Sequence, residues 1–185
     1  MTEERARHPA AAVEVWAFDE HRAGLKPVLR RVWAERGRRP VASTEPRYQW
    51  LYLYGFVRPT TGALVWFLCT TVNTALFAAV LARFAAEVGA GPGKRVILVL
   101  DGAGWHASAG LAVPEGVRLE FLPPYSPELQ PAEHLWPLTN ESLANQHFAD
   151  LGDLDRALAE RCLALADQPE TIKAHTCFHW WPEAA

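Results

Sequence analysis

A chain of 185 residues that is 50% hydrophobic and 21% charged can bury one well-packed core and is too short for two comfortable ones. Its net charge of −3 and pI near 6.2 exclude an overall basic field of the kind that gathers nucleic acid. The charge is uneven, however: residues 22–47 hold eight Lys or Arg against Glu35 and Glu45, whereas residues 111–170 hold eleven acids against Arg118, Arg156 and Arg161.

Met1 to Ala12 reads as a polar lead-in (residues 1–12), ahead of a single domain over residues 13–185. Val13-Glu14-Val15-Trp16-Ala17-Phe18 alternates β-formers and predicts a first strand, ending on Asp19-Glu20. The arginine-rich stretch that follows contains Gly24, Pro27, Gly37 and Pro40, which predict an irregular insertion with at most a short hairpin. Its cations make either a solvated loop or a surface that tracks phosphates. Tyr48–Val57 and Ala63–Thr70 are rich in aromatic and β-branched residues, and the loop Arg58-Pro59-Thr60-Thr61-Gly62 suits an antiparallel hairpin.

From Asn73 to Val88 the spacing turns helical, with Leu76, Phe77, Val80, Leu81, Phe84 and Val88 on one face and Gly89 past the end. Val96-Ile97-Leu98-Val99-Leu100 then suits a central strand buried on both faces. It ends on Asp101, which either caps a following helix or belongs to a site. After the short apolar run Leu119–Leu122, Pro123, Pro124, Pro127 and Pro131 stiffen the chain just ahead of Glu133, which opens a helical stretch. Pro137 either starts that helix or kinks it. Leu151, Leu154, Leu158 and Leu165 predict an amphipathic helix capped by Asp150 or Asp153, and Ile172, Phe178, Trp180 and Trp181 are expected to anchor the tail.

Together the stretches FDEHRAGLKPVLRRVWAERGRRP, VLDGAGWH and LPPYSPELQPAEHLW resemble the DDE endonuclease domain of bacterial insertion-sequence transposases, specifically insertion-sequence family 630, relatives of the mariner transposons. The resemblance runs from Val13 to Trp181. It implies an α/β ribonuclease H-like fold, a mixed central sheet of about five strands flanked by helices, in which Asp19 leaves the first strand, Asp101 the fourth, and Glu133 approaches from a helix. It further implies DNA transposition, with water and then a freed 3′-hydroxyl attacking phosphodiesters, and insertion at a TA dinucleotide.

Carboxylates suit that chemistry. Mg²⁺ is a hard ion that takes oxygen ligands and retains waters, and three acids can hold two such ions for in-line phosphoryl transfer. Asp19, Asp101 and Glu133 are therefore the expected ligands of two Mg²⁺ ions, Mn²⁺ substituting, with Asp19 as the bridge and Glu20 behind it or at the surface. Arg30, Arg31, Arg36, Arg38 and Arg39 are candidate DNA contacts. His106 either touches phosphate or orients its loop, and Trp105, Tyr125 and Trp136 either stack on a distorted base or pack in the core. His175, Cys177 and His179 lack the wider paired spacing of zinc sites, and Ser126 has no partner that would make it a nucleophile.

Two departures from the family pattern stand out. Gly102 follows the second acid where many relatives carry Asn, and the residues before the first strand are too few for the family's helix-turn-helix modules. End recognition is therefore expected to be missing, leaving weak, salt-sensitive DNA binding. The expected partners are transposon ends, target DNA, and a second copy or a full-length transposase. A catalytically silent regulatory fragment and a stand-alone ribonuclease H-like nuclease are the alternatives. Cys69, Cys162 and Cys177 build no disulfide framework, Met1–Pro9 lacks the apolar core of a signal peptide, and no run suits a membrane span. A soluble, cytoplasmic, nucleoid-associated protein is the expectation.

Overall fold

The computed structural model describes residues 1–38, 41 and 47–182, in which five strands form one mixed sheet in the order β3-β2-β1-β4-β5. β1 (Ala12–Gly24), β2 (Trp50–Arg58) and β3 (Ala63–Cys69) make an antiparallel meander, and β4 (Lys94–Leu100) and β5 (Val117–Phe121) extend the sheet parallel to β1. The apolar run 96–100 thus lies between β1 and β5, where both faces of the strand are covered.

Strict alternation along the strands sorts the interior into two layers. On one face Trp16, Phe18, Tyr54, Phe56, Leu98 and Leu100 pack against Phe77, Val80, Leu81 and Phe84 of α2 (Thr74–Val88). The Phe56 and Phe84 rings stack there at 4.1 Å. The Asn73 side chain caps α2 by accepting from the Leu76 amide, and Gly89 closes it at φ 71°, a left-handed turn that glycine adopts without strain.

On the other face Val15, Ala17, Leu53 and Ile97 meet Leu135 and Trp136, together with α4 (Leu151–Ala166) and α5 (Pro169–Thr176). The preceding short helix α3 (Trp136–Asn140) has Pro137 in its first turn, so the proline starts the α-helix and does not kink it. Asp150, and not Asp153, caps α4. Ile172 and Trp181 are buried in this layer, while Trp180 stays 42% exposed, so the tail is anchored by part of its apolar set.

Three expectations need correction. The polar lead-in contains a helix, α1 (Thr2–Arg7), docked because Glu4 is buried and bonded to Arg95 and Arg118 on neighbouring strands. β1 does not end at Asp19. It parts from β4 after the Ala17–Val99 pair but keeps its ladder with β2 to the Gly24–Trp50 pair, which supplies the backbone bonds that hold it extended. Glu133 lies in a 3₁₀ turn, Pro131–Leu135, that leads into α3, because prolines on both sides constrain the backbone. Of the arginine-rich segment, residues 22–24 belong to β1, and the described residues of 25–49 form no helix or strand. Among the described residues no helix is long and apolar enough to cross a membrane.

Candidate active site

β1 and β4 run parallel in a register that pairs Val15 with Ile97 and Ala17 with Val99. Carrying that register two residues further brings Asp19 level with Asp101, and alternation aims both toward the α3 face. Glu133 comes to them across the same face. Asp19, Asp101 and Glu133 line one cavity of about 310 Å³, whose opposite wall is Leu122 to Pro127.

The three acids differ in their surroundings. Burial pushes the Asp19 carboxyl up to about 7, with Glu20 and Glu133 adding repulsion, against a bond donated by the Trp136 indole N–H to Asp19 Oδ2 at 2.8 Å. Glu133 is raised by burial and by the charge of Asp101. Asp101 is held below the ordinary carboxylate range, chiefly by His106, whose Nδ1 lies 2.7 Å from Oδ1, and by the Ala103 amide.

His106 is the hub behind this site. It is 1% exposed, flanked by the Phe18 and Phe77 rings, and its Nε2 stands 3.1 Å from Glu20 Oε2. That second contact is an ion pair that favours the protonated ring. Burial by itself lowers a histidine, yet the bonds and charges of Asp101 and Glu20 outweigh it and raise His106 to about 9. At neutral pH it is a buried cation between two carboxylates. Glu20 also accepts from the Trp105 indole at 2.8 Å, so Trp105 and His106 brace the loop after β4 against β1.

On the other side, the His21 ring stacks on Trp136 at 5.0 Å and is hydrogen-bonded to Asn140 at 3.0 Å. Gln130 is buried, and its Nε2 donates to the Phe18 carbonyl at 2.9 Å just where β4 has parted from β1. Gly55 pairs with Asp19 across β1 and β2, and a Cβ there would stand 2.8 Å from the Trp66 ring and 2.9 Å from that of Trp136. Gly55→Ala is expected to displace the indole from Asp19 and cost about 1–3 kcal/mol. Urea denaturation measures this, and an unchanged midpoint would show that both rings give way freely.

Among the described residues, Arg30, Arg31, Arg36 and Arg38 do not line the cavity. Arg30 donates to the Pro137 carbonyl, Arg38 pairs with Glu35, Arg31 and Arg36 are exposed, and Arg39 lies outside the described residues. Tyr125 is fully exposed at the rim with φ 57°, and Trp136 is a core residue that also serves Asp19. The Ser126 hydroxyl donates to the Pro124 carbonyl. His21, Asn140, Gly55 and Gln130 were missed, because only the folded chain shows which polar residue faces the carboxylates.

Residues 14–155 match the model of the DDE superfamily endonuclease family. The chain belongs to that family. An uncharacterised protein of Sinorhizobium fredii, y4pE/y4sA, is 33% identical over 132 residues, covering 71% of this chain and 96% of its own. Among solved structures, the Mos1 strand transfer complex is similar with a TM-score of 0.59 and 18% identity, over 96% of this chain and 58% of the other. The Mos1 mariner paired end complex with Mn gives 0.60 and 18%, over 88% and 53%. These likenesses establish the α/β ribonuclease H-like fold. The chain spans little more than half the length of those solved transposase chains.

The cavity's three acids are oxygen donors and fit a hard cation by type. Burial and mutual repulsion, which raise Asp19 and Glu133, mark a place where positive charge would be welcome. Among the described residues no three acids stand close enough to enclose an ion by themselves.

Proposed function

We propose that this chain is the catalytic domain of a transposase of the insertion-sequence 630 type, cutting DNA strands and transferring the freed end to target DNA. The observation that supports this most is the single cavity shared by Asp19, Asp101 and Glu133, drawn from three separate elements in a chain of the DDE endonuclease family. Asp19, Asp101 and Glu133 would hold two Mg²⁺ ions, Mn²⁺ substituting, whose chemistry is to polarise the attacking and leaving oxygens of an in-line phosphoryl transfer.

The chain's own groups prepare that chemistry. Trp136 occupies Oδ2 of Asp19, and His106 with the Ala103 amide occupies Oδ1 of Asp101, so each carboxylate is held in one orientation. The proline-stiffened wall 122–127 limits how far a bound strand can shift. DNA, as transposon end and as target, is the proposed substrate, and a second copy or a longer transposase the proposed partner.

Nicking of supercoiled plasmid at low salt, with Mg²⁺, Mn²⁺ or EDTA, tests the reading. The wild-type chain is expected to nick only with metal, and Asp101→Asn to lose about 100-fold or more of that rate. Equal behaviour of the two proteins would sink the assignment.

A further inference from the structure

We propose that a second cavity, at the far end of β1, is a nucleic-acid subsite that holds an unpaired nucleotide of the strand engaged at Asp19, Asp101 and Glu133. This rests on the proposed function. The cavity measures about 310 Å³ and is lined by His21, Arg22, Lys26, Arg47, Tyr48 and Trp50 among others, with no carboxylate among the described residues of its wall. Its charge is the reverse of the acid cavity's.

The components match what a single strand offers. The Arg22 guanidinium sits 4.7 Å over the Trp50 ring, and Tyr48 is 83% exposed, so aromatic and guanidinium planes are available for stacking. Among the described residues neither Arg22 nor Lys26 has an ion-pair partner, which leaves both free to meet phosphate. Arg47 is already bonded to the Ala149 carbonyl and contributes charge from a held position. Duplex DNA hides the faces of its bases, so this pairing of planes with cations favours a nucleotide outside the helix.

Main-chain groups tie the segments around the pocket together. The Leu25 amide donates to the Gln49 carbonyl, Val28 bridges Ala144, and the Arg30 amide donates to Asn145 Oδ1. Its β1 wall, residues 21–24, lies beyond Ala17, where β4 no longer pairs. His21 connects the two cavities: it lines this one and stacks on the Trp136 ring that holds Asp19. His21 lies two residues from Asp19, about 7 Å along an extended strand. One backbone could therefore serve both.

Fluorescence anisotropy of a short labelled oligothymidylate with the full chain, in EDTA at low salt, tests this. The variants are Trp50→Leu, Lys26→Gln and, on the exposed side of α2, Arg83→Gln. Trp50→Leu is expected to weaken single-strand binding by about 5–100-fold. Lys26→Gln should weaken it by about 3–10-fold and lower the salt slope by about one. Arg83→Gln should leave it unchanged, and thermal melts confirm folding. If both pocket variants bind as wild type does while the wild type still nicks plasmid, the subsite is overturned and the proposed function stands. A wild-type chain that neither binds nor nicks overturns both. Thymidine 5′-monophosphate competing as tightly as the oligomer would overturn the strand subsite in favour of a free-nucleotide pocket.

Discussion

Asp19→Asn is expected to abolish metal-dependent nicking, by about 100-fold or more, while making the fold more stable at pH 8. The carboxyl is raised from 3.8 to about 7 by burial, with Glu20 and Glu133 adding to it. A folded-state value above the unfolded one means that the folded chain binds the proton more tightly. The associated stability is fully present below pH 3.8 and is lost as pH rises through about 7. A displacement of that size corresponds to about 4 kcal/mol, so at pH 8 the ionised wild type carries this cost and the Asn variant does not. Asn keeps an oxygen for the Trp136 indole. Urea denaturation in EDTA at pH 4 and pH 8 should show near equality at the first and a gain of about 2–4 kcal/mol for the variant at the second. A variant no more stable than wild type at pH 8 would mean that the buried charge is already compensated.

His106→Leu is expected to have the opposite effect on stability. It removes a cation wedged between Asp101 and Glu20, leaving Glu20 with the Trp105 indole as its partner among the described residues, and should cost about 3–5 kcal/mol. Nicking should also fall by about 10–100-fold as Asp101 loses the group that orients it. Its pH signature separates charge from packing. His106 is raised from 6.5 to about 9, so its contribution is complete below pH 6.5 and fades as pH climbs through about 9. The stability difference between wild type and His106→Gln, measured in EDTA, should therefore shrink by about 3 kcal/mol between pH 6 and pH 9.5. Subtracting the two curves cancels the contribution of Asp19, which both proteins share. A constant difference across that range would show that the histidine is neutral and serves only as a hydrogen-bonding spacer.

The elements were largely legible because each carries a strong local signal. Alternation marked β1 and the hairpin of β2 and β3, helical spacing with Asn73 and Gly89 bounded α2, and an unbroken apolar run marked β4. Local signals misled where tertiary bonds took over. β1 runs on through Asp19-Glu20-His21-Arg22, which looks like a strand end, because β2 keeps supplying its ladder. The first residues fold into α1 because Arg95 and Arg118, more than ninety positions away, hold Glu4.

What the sequence by itself determined is the carboxylate set and the framework that carries it: an acid two positions beyond Ala17, an acid just past a buried strand, and a glutamate after a run of prolines. The strand period of two and the rigidity of proline reach only a few residues, and those distances are written locally. Only the tertiary structure decided which groups support the acids. That His106 lies between Asp101 and Glu20, that Trp136 bonds Asp19 in space left by Gly55, and that Gln130 takes the Phe18 carbonyl are contacts across 5 to 117 positions. Such contacts exist only once β1 and β4 are in register and the 3₁₀ turn is laid across them. The same holds for charge: Asp19 is an ordinary aspartate in the chain, and burial beside two other acids is what raises its proton affinity.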